Sequence, residues 1–189
     1  MTDSRPDITE KCIVLVGLMG VGKSSVGRKL AKRLGMGFTD ADDEIIRAAG
    51  CSIEDIFELY GESAFRDGER RVIRRLLNNT PKVLATGGGA FMDPDTRSRI
   101  KRQAVSIWLR ADIEVLLERT GRRSGRPLLK KGDPRKIFET LMAERNPSYA
   151  EADFTIDSEE ESSDATVDSL IRLLETVYAI PQAGDDIPS

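Results

Sequence analysis

Eight residues constrain this chain more than any others: Gly17-Leu18-Met19-Gly20-Val21-Gly22-Lys23-Ser24. They satisfy G-x-x-x-x-G-K-[ST] in full. They follow Cys-Ile-Val-Leu-Val (12–16), a short run that reads as a buried parallel strand. They open residues 22–34, where Val26, Leu30 and Leu34 recur at helical spacing. Glycines here let consecutive backbone N–H groups converge on one anion, and the helix start adds a favourable dipole. Lys23 can reach the β- and γ-phosphates, and the Ser24 hydroxyl can ligate Mg²⁺. Gly20, Val21, Gly22, Lys23, Ser24 and Ser25 are therefore the candidate contacts to a nucleoside triphosphate. The motif is silent about a second substrate.

The rest of the chain repeats the strand–helix alternation. The 189 residues suggest one domain. Strands are expected over 12–16, 36–39, 83–86, 104–109 and 154–156. Helices are expected over 22–34, 42–49, 52–59, 62–78, from Asp93-Pro94 to about Arg102, and after Asp112. Another should run from Asp133-Pro134 to just before Asn146-Pro147, and a last one over 166–177. This pattern predicts an α/β fold with helices on both faces of a parallel sheet. A Rossmann dinucleotide domain is the other candidate, and the first glycine loop argues against it. The expected domain is 11–178, flanked by a flexible extension (1–10) and a flexible tail (179–189).

Composition removes whole classes. The chain contains no histidine, which excludes Ser-His-Asp hydrolases, Cys-His proteases and histidine-ligated metals. Its two cysteines, Cys12 and Cys51, form no Cys-x-x-Cys pair. Lys plus Arg number 29 against 32 Asp plus Glu, a net charge of −3. That lacks the basic excess of a general nucleic-acid binder. No apolar run nears membrane-spanning length, and residues 1–10 lack a signal-peptide apolar segment. A cytoplasmic protein with no nucleic-acid or membrane partner is expected. Guanine-specific switches carry Asn-Lys-x-Asp, which is absent here. A small phosphotransferase is favoured.

Several features could form an acceptor site. Asp40-Ala41-Asp42 follows the second strand, at the strand end where open α/β sheets bind ligands. One carboxylate could serve hydrated Mg²⁺ and the other an acceptor hydroxyl. Helix N-capping explains such aspartates equally well. Arg66 and Glu69 in Phe65-Arg66-Asp67-Gly68-Glu69 share a helix face, as a surface ion pair or as an arginine held to grip a carboxylate. Gly87-Gly88-Gly89 follows the third strand, as a flexible turn or where something must approach the backbone closely. Loop 121–132 holds Arg122, Arg123, Arg126, Lys130 and Lys131 with no acid, as a solvated loop or as a lid over polyphosphate. Arg145 sits at a helix end, where its charge is favourable on dipole grounds alone.

Together these residues resemble the shikimate kinases, P-loop kinases of the nucleoside-monophosphate-kinase-like group. The resemblance covers about residues 11–178. It rests on Gly17–Ser24, Phe38-x-Asp40-x-Asp42, Phe65-Arg66-x-x-Glu69, Gly87-Gly88-Gly89-Ala90, Arg126-Pro127-Leu128-Leu129 and Arg145-x-Pro147-x-Tyr149. It implies a P-loop NTPase-type three-layer α/β/α fold with five parallel strands in the order 2-3-1-4-5. It implies ATP-dependent phosphorylation of the shikimate 3-hydroxyl, a step of chorismate and aromatic amino acid biosynthesis, by a monomer using one Mg²⁺.

By the same resemblance Asp42 binds ring hydroxyls and is the candidate base. Arg66 and Arg145 hold the shikimate carboxylate, and Glu69 orients Arg66 and contacts substrate. Gly88, between Gly87 and Gly89, approaches the ring. Asp40 lies with Ser24 on the Mg²⁺ side, Arg126 reaches the phosphates, and Arg119 lies near adenine. After the fifth strand the chain departs from some members with Asp157-Ser158-Glu159-Glu160-Glu161, which leaves adenine to backbone groups and Arg119. A gluconate-type kinase of the same fold would share the phosphate loop. It is not expected to combine the other motifs. Intact Lys23, Ser24, Asp40, Asp42 and Arg126 count against a catalytically idle nucleotide-binding module.

Overall fold

A computed structural model describes residues 5–78, 80–121, 132–158 and 162–180. The strands are β1 (Cys12–Val16), β2 (Gly37–Asp40), β3 (Lys82–Ala85), β4 (Ala104–Arg110) and β5 (Phe154–Asp157). The helices are α1 (Lys23–Leu34), α2 (Ala41–Ala49), α3 (Ile53–Leu77), α4 (Pro94–Gln103), α5 (Ile113–Gly121), α6 (Pro134–Tyr149) and α7 (Ser163–Leu174). The strands form one parallel sheet in the order β2-β3-β1-β4-β5, as the resemblance implied. Ile13 of β1 lies level with Val83 on one side and Val105 on the other. All five β1 residues are buried, as a strand covered on both faces requires. Helices α1 and α7 pack together as one outer layer, α3 and α4 as the other.

The chain switches direction across the sheet at β1, so the crevice at the strands' carboxyl ends opens there. Four segments meet at that end: the loop after β1, the β2–α2 junction, Gly87–Gly89 after β3, and Ser158 after β5. The ladder carries on past β3, because the Thr86 N–H and hydroxyl both donate to the Leu15 carbonyl at 3.2 and 3.0 Å. The triplet is thereby held beside the phosphate loop rather than left as a free turn.

Four expectations change. Helix α6 does not stop before Asn146-Pro147; Pro147 lies inside it. Proline removes one intrahelical hydrogen bond. The final turn is held all the same, because Tyr149 is fully buried and the Ala150 N–H donates to the Asn146 carbonyl at 2.9 Å. Helix α7 spans Ser163–Leu174, not 166–177, because the Ser162 side chain caps it at the Ala165 N–H. The helices expected over 52–59 and 62–78 join into α3, broken at Gly61 by a left-handed φ of 80° with ψ 171°. The fourth concerns the N-terminus.

The extension expected to be flexible over 1–10 is docked where it is described. Ile8 is fully buried in the core. Its N–H donates to the Ala179 carbonyl at 3.2 Å, and the Ala179 N–H donates to the Pro6 carbonyl at 3.0 Å. Lys11 lies over the Tyr178 ring, which meets Phe154 edge-on. The segment docks because Ile8 adds an apolar side chain to the core while the backbone around it pairs with Ala179 in an isolated parallel bridge. The tail from 181 onward and the basic loop residues 122–131 lie outside the described residues. Truncating Ile8 to alanine should cost about 2–5 kcal/mol of stability, the range for emptying a buried isoleucine site. Urea unfolding checks this; an unchanged midpoint would show that the docked segment adds nothing.

Candidate active site

The phosphate loop takes its shape from three left-handed glycines, Gly17 (φ 139°), Gly20 (φ 84°) and Gly22 (φ 100°). Gly22 is the N-cap of α1, and no side chain caps the helix. Its first N–H groups therefore face the loop's interior, the arrangement that suits phosphate. Lys23 Nζ donates to the carbonyls of Gly17 and Leu18, each at 2.8 Å. The ammonium is thus laid across the loop. Val21 is buried, whereas Ser25 is exposed on the first turn of α1.

Asp40 and Asp42 divide their duties. Asp40, not Asp42, is the N-cap of α2: its Oδ1 accepts from the Asp42 N–H at 3.0 Å. Its Oδ2 accepts from the Ser24 hydroxyl at 2.5 Å. One carboxylate therefore ties β2 to the phosphate loop. Ser24 and Asp40 offer two hard oxygen donors at the loop's mouth. That pair fits Mg²⁺, which keeps several waters and takes few protein ligands. Among the described residues no cluster of three or more acidic, cysteine or histidine side chains forms a closed metal cage.

Asp42, released from capping, points elsewhere. Its Oδ1 is buried without a hydrogen-bond partner among the described residues, and so is Oε1 of Glu69. Both oxygens aim at one place: a β-carbon built on Gly87 would lie 2.8 Å from Glu69 Oε1 and 3.0 Å from Asp42 Oδ1. Burial first, then the Asp40 charge, pushes the Asp42 carboxyl up to about 6. Burial also raises Glu69, against the pull of Arg66.

The Arg66–Glu69 pair is no surface ion pair. Glu69 is only 3% exposed, and Arg66 Nη1 donates to its Oε2 at 2.8 Å. Arg66 also meets Glu62 at 3.3 Å and lies over the Phe65 ring. Its guanidinium occupies the space a Gly89 side chain would need. Arg145 Nη1 would sit 3.3 Å from a Gly88 β-carbon, with Met19 N and Gly17 O at 3.4 and 3.6 Å from the same point. None of the three triplet glycines has a positive φ. Glycine is needed there for close approach, by Asp42 and Glu69 at Gly87, Arg145 at Gly88 and Arg66 at Gly89.

A sequence model of the family described as "Shikimate kinase" matches residues 19–175. The shikimate kinase of Paramagnetospirillum magneticum is 59% identical over 165 residues, which cover 87% of this chain and 83% of that one. That of Caulobacter vibrioides is 50% identical over 179 residues, covering 95% of this chain and 90% of its own. The structure of shikimate kinase from Acinetobacter baumannii in complex with shikimate superposes with a TM-score of 0.86 at 38% identity, covering 89% and 95% of the two chains. The chain belongs to the shikimate kinase family.

The fold thus gathers Lys23, Ser24, Asp40, Asp42, Arg66, Glu69, the triplet and Arg145 at one end of the sheet. Arg119 stands slightly apart. It donates to the Val21 carbonyl at 3.1 Å and to the Ser158 hydroxyl at 2.9 Å. Arg126 lies outside the described residues. Ser158 was not singled out from the sequence. It is 2% exposed, and its hydroxyl donates to the Val21 carbonyl at 3.0 Å. Its position at the carboxyl end of a strand was the available signal, obscured by the acidic residues around it.

The raised Asp42 carboxyl makes a stability claim with a definite sign. Folding holds its proton more tightly than the unfolded chain does, so the ionised form destabilises the fold. That cost is fully present above about pH 6 and fades as pH falls from there towards 4. Metal-free and ligand-free Asp42→Asn should therefore be more stable than the parent at pH 8, by about 1–2 kcal/mol for a half-buried, partly screened carboxylate. The gain should vanish near pH 4. Denaturant unfolding at the two pH values checks it; a loss of stability at pH 8 contradicts the assignment.

Proposed function

We propose that this chain transfers the γ-phosphoryl group of ATP to the 3-hydroxyl of shikimate, giving shikimate 3-phosphate and ADP. One observation carries the reading. Two buried carboxylate oxygens, on Asp42 and Glu69, have no hydrogen-bond partner among the described residues and converge beside Gly87, with Arg66 and Arg145 next to them. A small anion bearing several hydroxyls answers both halves of that arrangement. Its hydroxyls donate to the carboxylates, and its carboxylate takes planar, charge-assisted hydrogen bonds from the arginines.

The proposed roles follow the family resemblance, with the positions of the described groups in support. The N–H groups of Gly20 to Ser25 and the Lys23 ammonium hold the polyphosphate. Ser24 and Asp40 would hold one Mg²⁺, which when bound neutralises charge on the phosphate oxygens. Asp42 accepts the hydrogen bond of the attacking hydroxyl, orients its lone pair and takes its proton as the new O–P bond forms. The γ-phosphorus–oxygen bond breaks, and ADP leaves with the electron pair. Glu69 fixes Arg66 and accepts from a ring hydroxyl. Gly88 lies under the ring. Arg119 flanks the adenine side, and by the resemblance Arg126, outside the described residues, would add positive charge at the phosphates. Catalysis is then mainly positioning and charge neutralisation.

We further propose a cytoplasmic monomer whose partners are ATP and shikimate, with no nucleic-acid or membrane partner. No helix among the described residues is long and apolar enough to cross a membrane.

ADP release should require shikimate and should not occur with gluconate, CMP or AMP as acceptor; turnover with another acceptor would overturn the acceptor site. Arg145→Ala should raise the shikimate KM about 10- to 100-fold, the worth of a charge-assisted bidentate contact, with the ATP KM within about twofold. Equal loss of both affinities would move Arg145 out of the acceptor site. Gly89→Ala should displace the Arg66 guanidinium. Because that guanidinium is paired with the buried Glu69 carboxylate, its displacement should also lower the unfolding midpoint. The shikimate KM should rise about tenfold, the effect of weakening one charged hydrogen bond; an unchanged KM would remove Arg66 from carboxylate binding.

A further inference from the structure

Tyr149 is the part of the Arg145-x-Pro147-x-Tyr149 motif to which neither the phosphate loop nor the acceptor groups give a role. It is the largest fully buried side chain of the described residues. Its ring stacks on Trp108 of β4, centroids 5.8 Å apart and planes at 29°. Its hydroxyl donates to the Gly88 carbonyl. Arg145 lies one helical turn earlier, on the same face of α6.

Gly88 lies close to two functional groups. A β-carbon built on it would meet the Arg145 guanidinium at 3.3 Å and the phosphate loop's Met19 N and Gly17 O at 3.4 and 3.6 Å. The Gly88 carbonyl is the handle by which α6 holds this peptide. We propose that the Tyr149 hydroxyl is a positioning residue: by anchoring Gly88 and α6 to each other, it sets the separation between the acceptor clamp and the phosphate loop. In-line phosphoryl transfer is sensitive to that separation, since a misplacement of about 1 Å can cost about 10²-fold in rate.

Three features favour this role over mere packing. The ring alone would fill the core, yet a hydroxyl is present and reaches a backbone carbonyl of the site. Burial pushes the Tyr149 hydroxyl up to about 12, so it stays a protonated donor throughout the working pH range. Helix α6 continues through Pro147, which removes one of its own hydrogen bonds. The last turn therefore relies on contacts made by Tyr149 more than an uninterrupted helix would.

The inference rests on the proposed acceptor site, and the test separates the two. Shikimate-dependent ADP release is measured for the parent chain, Tyr149→Phe and Trp108→Phe, with unfolding midpoints for all three. If the parent fails to use shikimate, the proposed function falls. If it succeeds, Tyr149→Phe should lower kcat about tenfold or more and leave the ATP KM within about twofold, a loss of alignment rather than of nucleotide binding. Trp108→Phe should lower the unfolding midpoint but leave kcat unchanged. A Tyr149→Phe chain with parental kcat, or one that does not fold, overturns the proposal. So does a Trp108→Phe chain that loses kcat to the same extent, because ring packing and not the hydroxyl would then set the geometry.

Discussion

The approach of four charged side chains to one stretch of bare backbone organises this molecule. Asp42 from α2, Arg66 and Glu69 from α3, and Arg145 from α6 all reach the Gly87–Gly89 peptide, each close enough that a methyl group would crowd or displace it. That backbone is rigid because β3 is laddered on both sides, to β2 and to β1. The acceptor pocket is therefore mounted on the sheet rather than on a mobile loop. The arrangement costs stability. One oxygen each of Asp42 and Glu69 is buried without a partner among the described residues, and burial pushes both carboxyls above their ordinary range. Strain of this kind in a site that must receive hydroxyl donors is a common trade between stability and function.

Donor and acceptor halves are also tied to each other. Asp40 holds the start of α2 with one oxygen and Ser24 of the phosphate loop with the other. Ser158, just after the edge strand β5, donates to the loop's Val21 carbonyl. Gly88 rests against Gly17 and Met19 while Tyr149 grips its carbonyl. Each tie uses a short polar contact between segments distant in sequence. The phosphate loop consequently has little freedom to shift relative to the acceptor groups, as a reaction controlled by alignment requires.

Much of this was legible locally. The phosphate loop, β1, α1 and the run of alternating elements follow from short-range spacing and turn chemistry, because they depend on neighbours a few residues away. Helix ends were less legible. Proline at 147 signals a stop, yet α6 continues because Tyr149 finds a burial site and a carbonyl that only the fold supplies. The docked segment around Ile8 was missed for the same reason: its partner, Ala179, is about 170 residues away. Arg66 and Glu69 could equally have been a surface pair, since helical spacing says nothing about which face is buried.

Sequence alone determined the nucleotide side of this protein. Glycine, lysine and serine at those intervals can form only a narrow set of backbone shapes, and those shapes bind phosphate. It also brought the acceptor residues into view, through their types and their order along the chain. The tertiary structure decided their division of labour. It made Asp40 the cap and left one Asp42 oxygen without a partner among the described residues, it buried Glu69, and it placed a tyrosine hydroxyl on the Gly88 carbonyl. Those outcomes depend on which groups meet after three layers pack, and on which polar atoms the packing leaves unsatisfied; no local pattern encodes either.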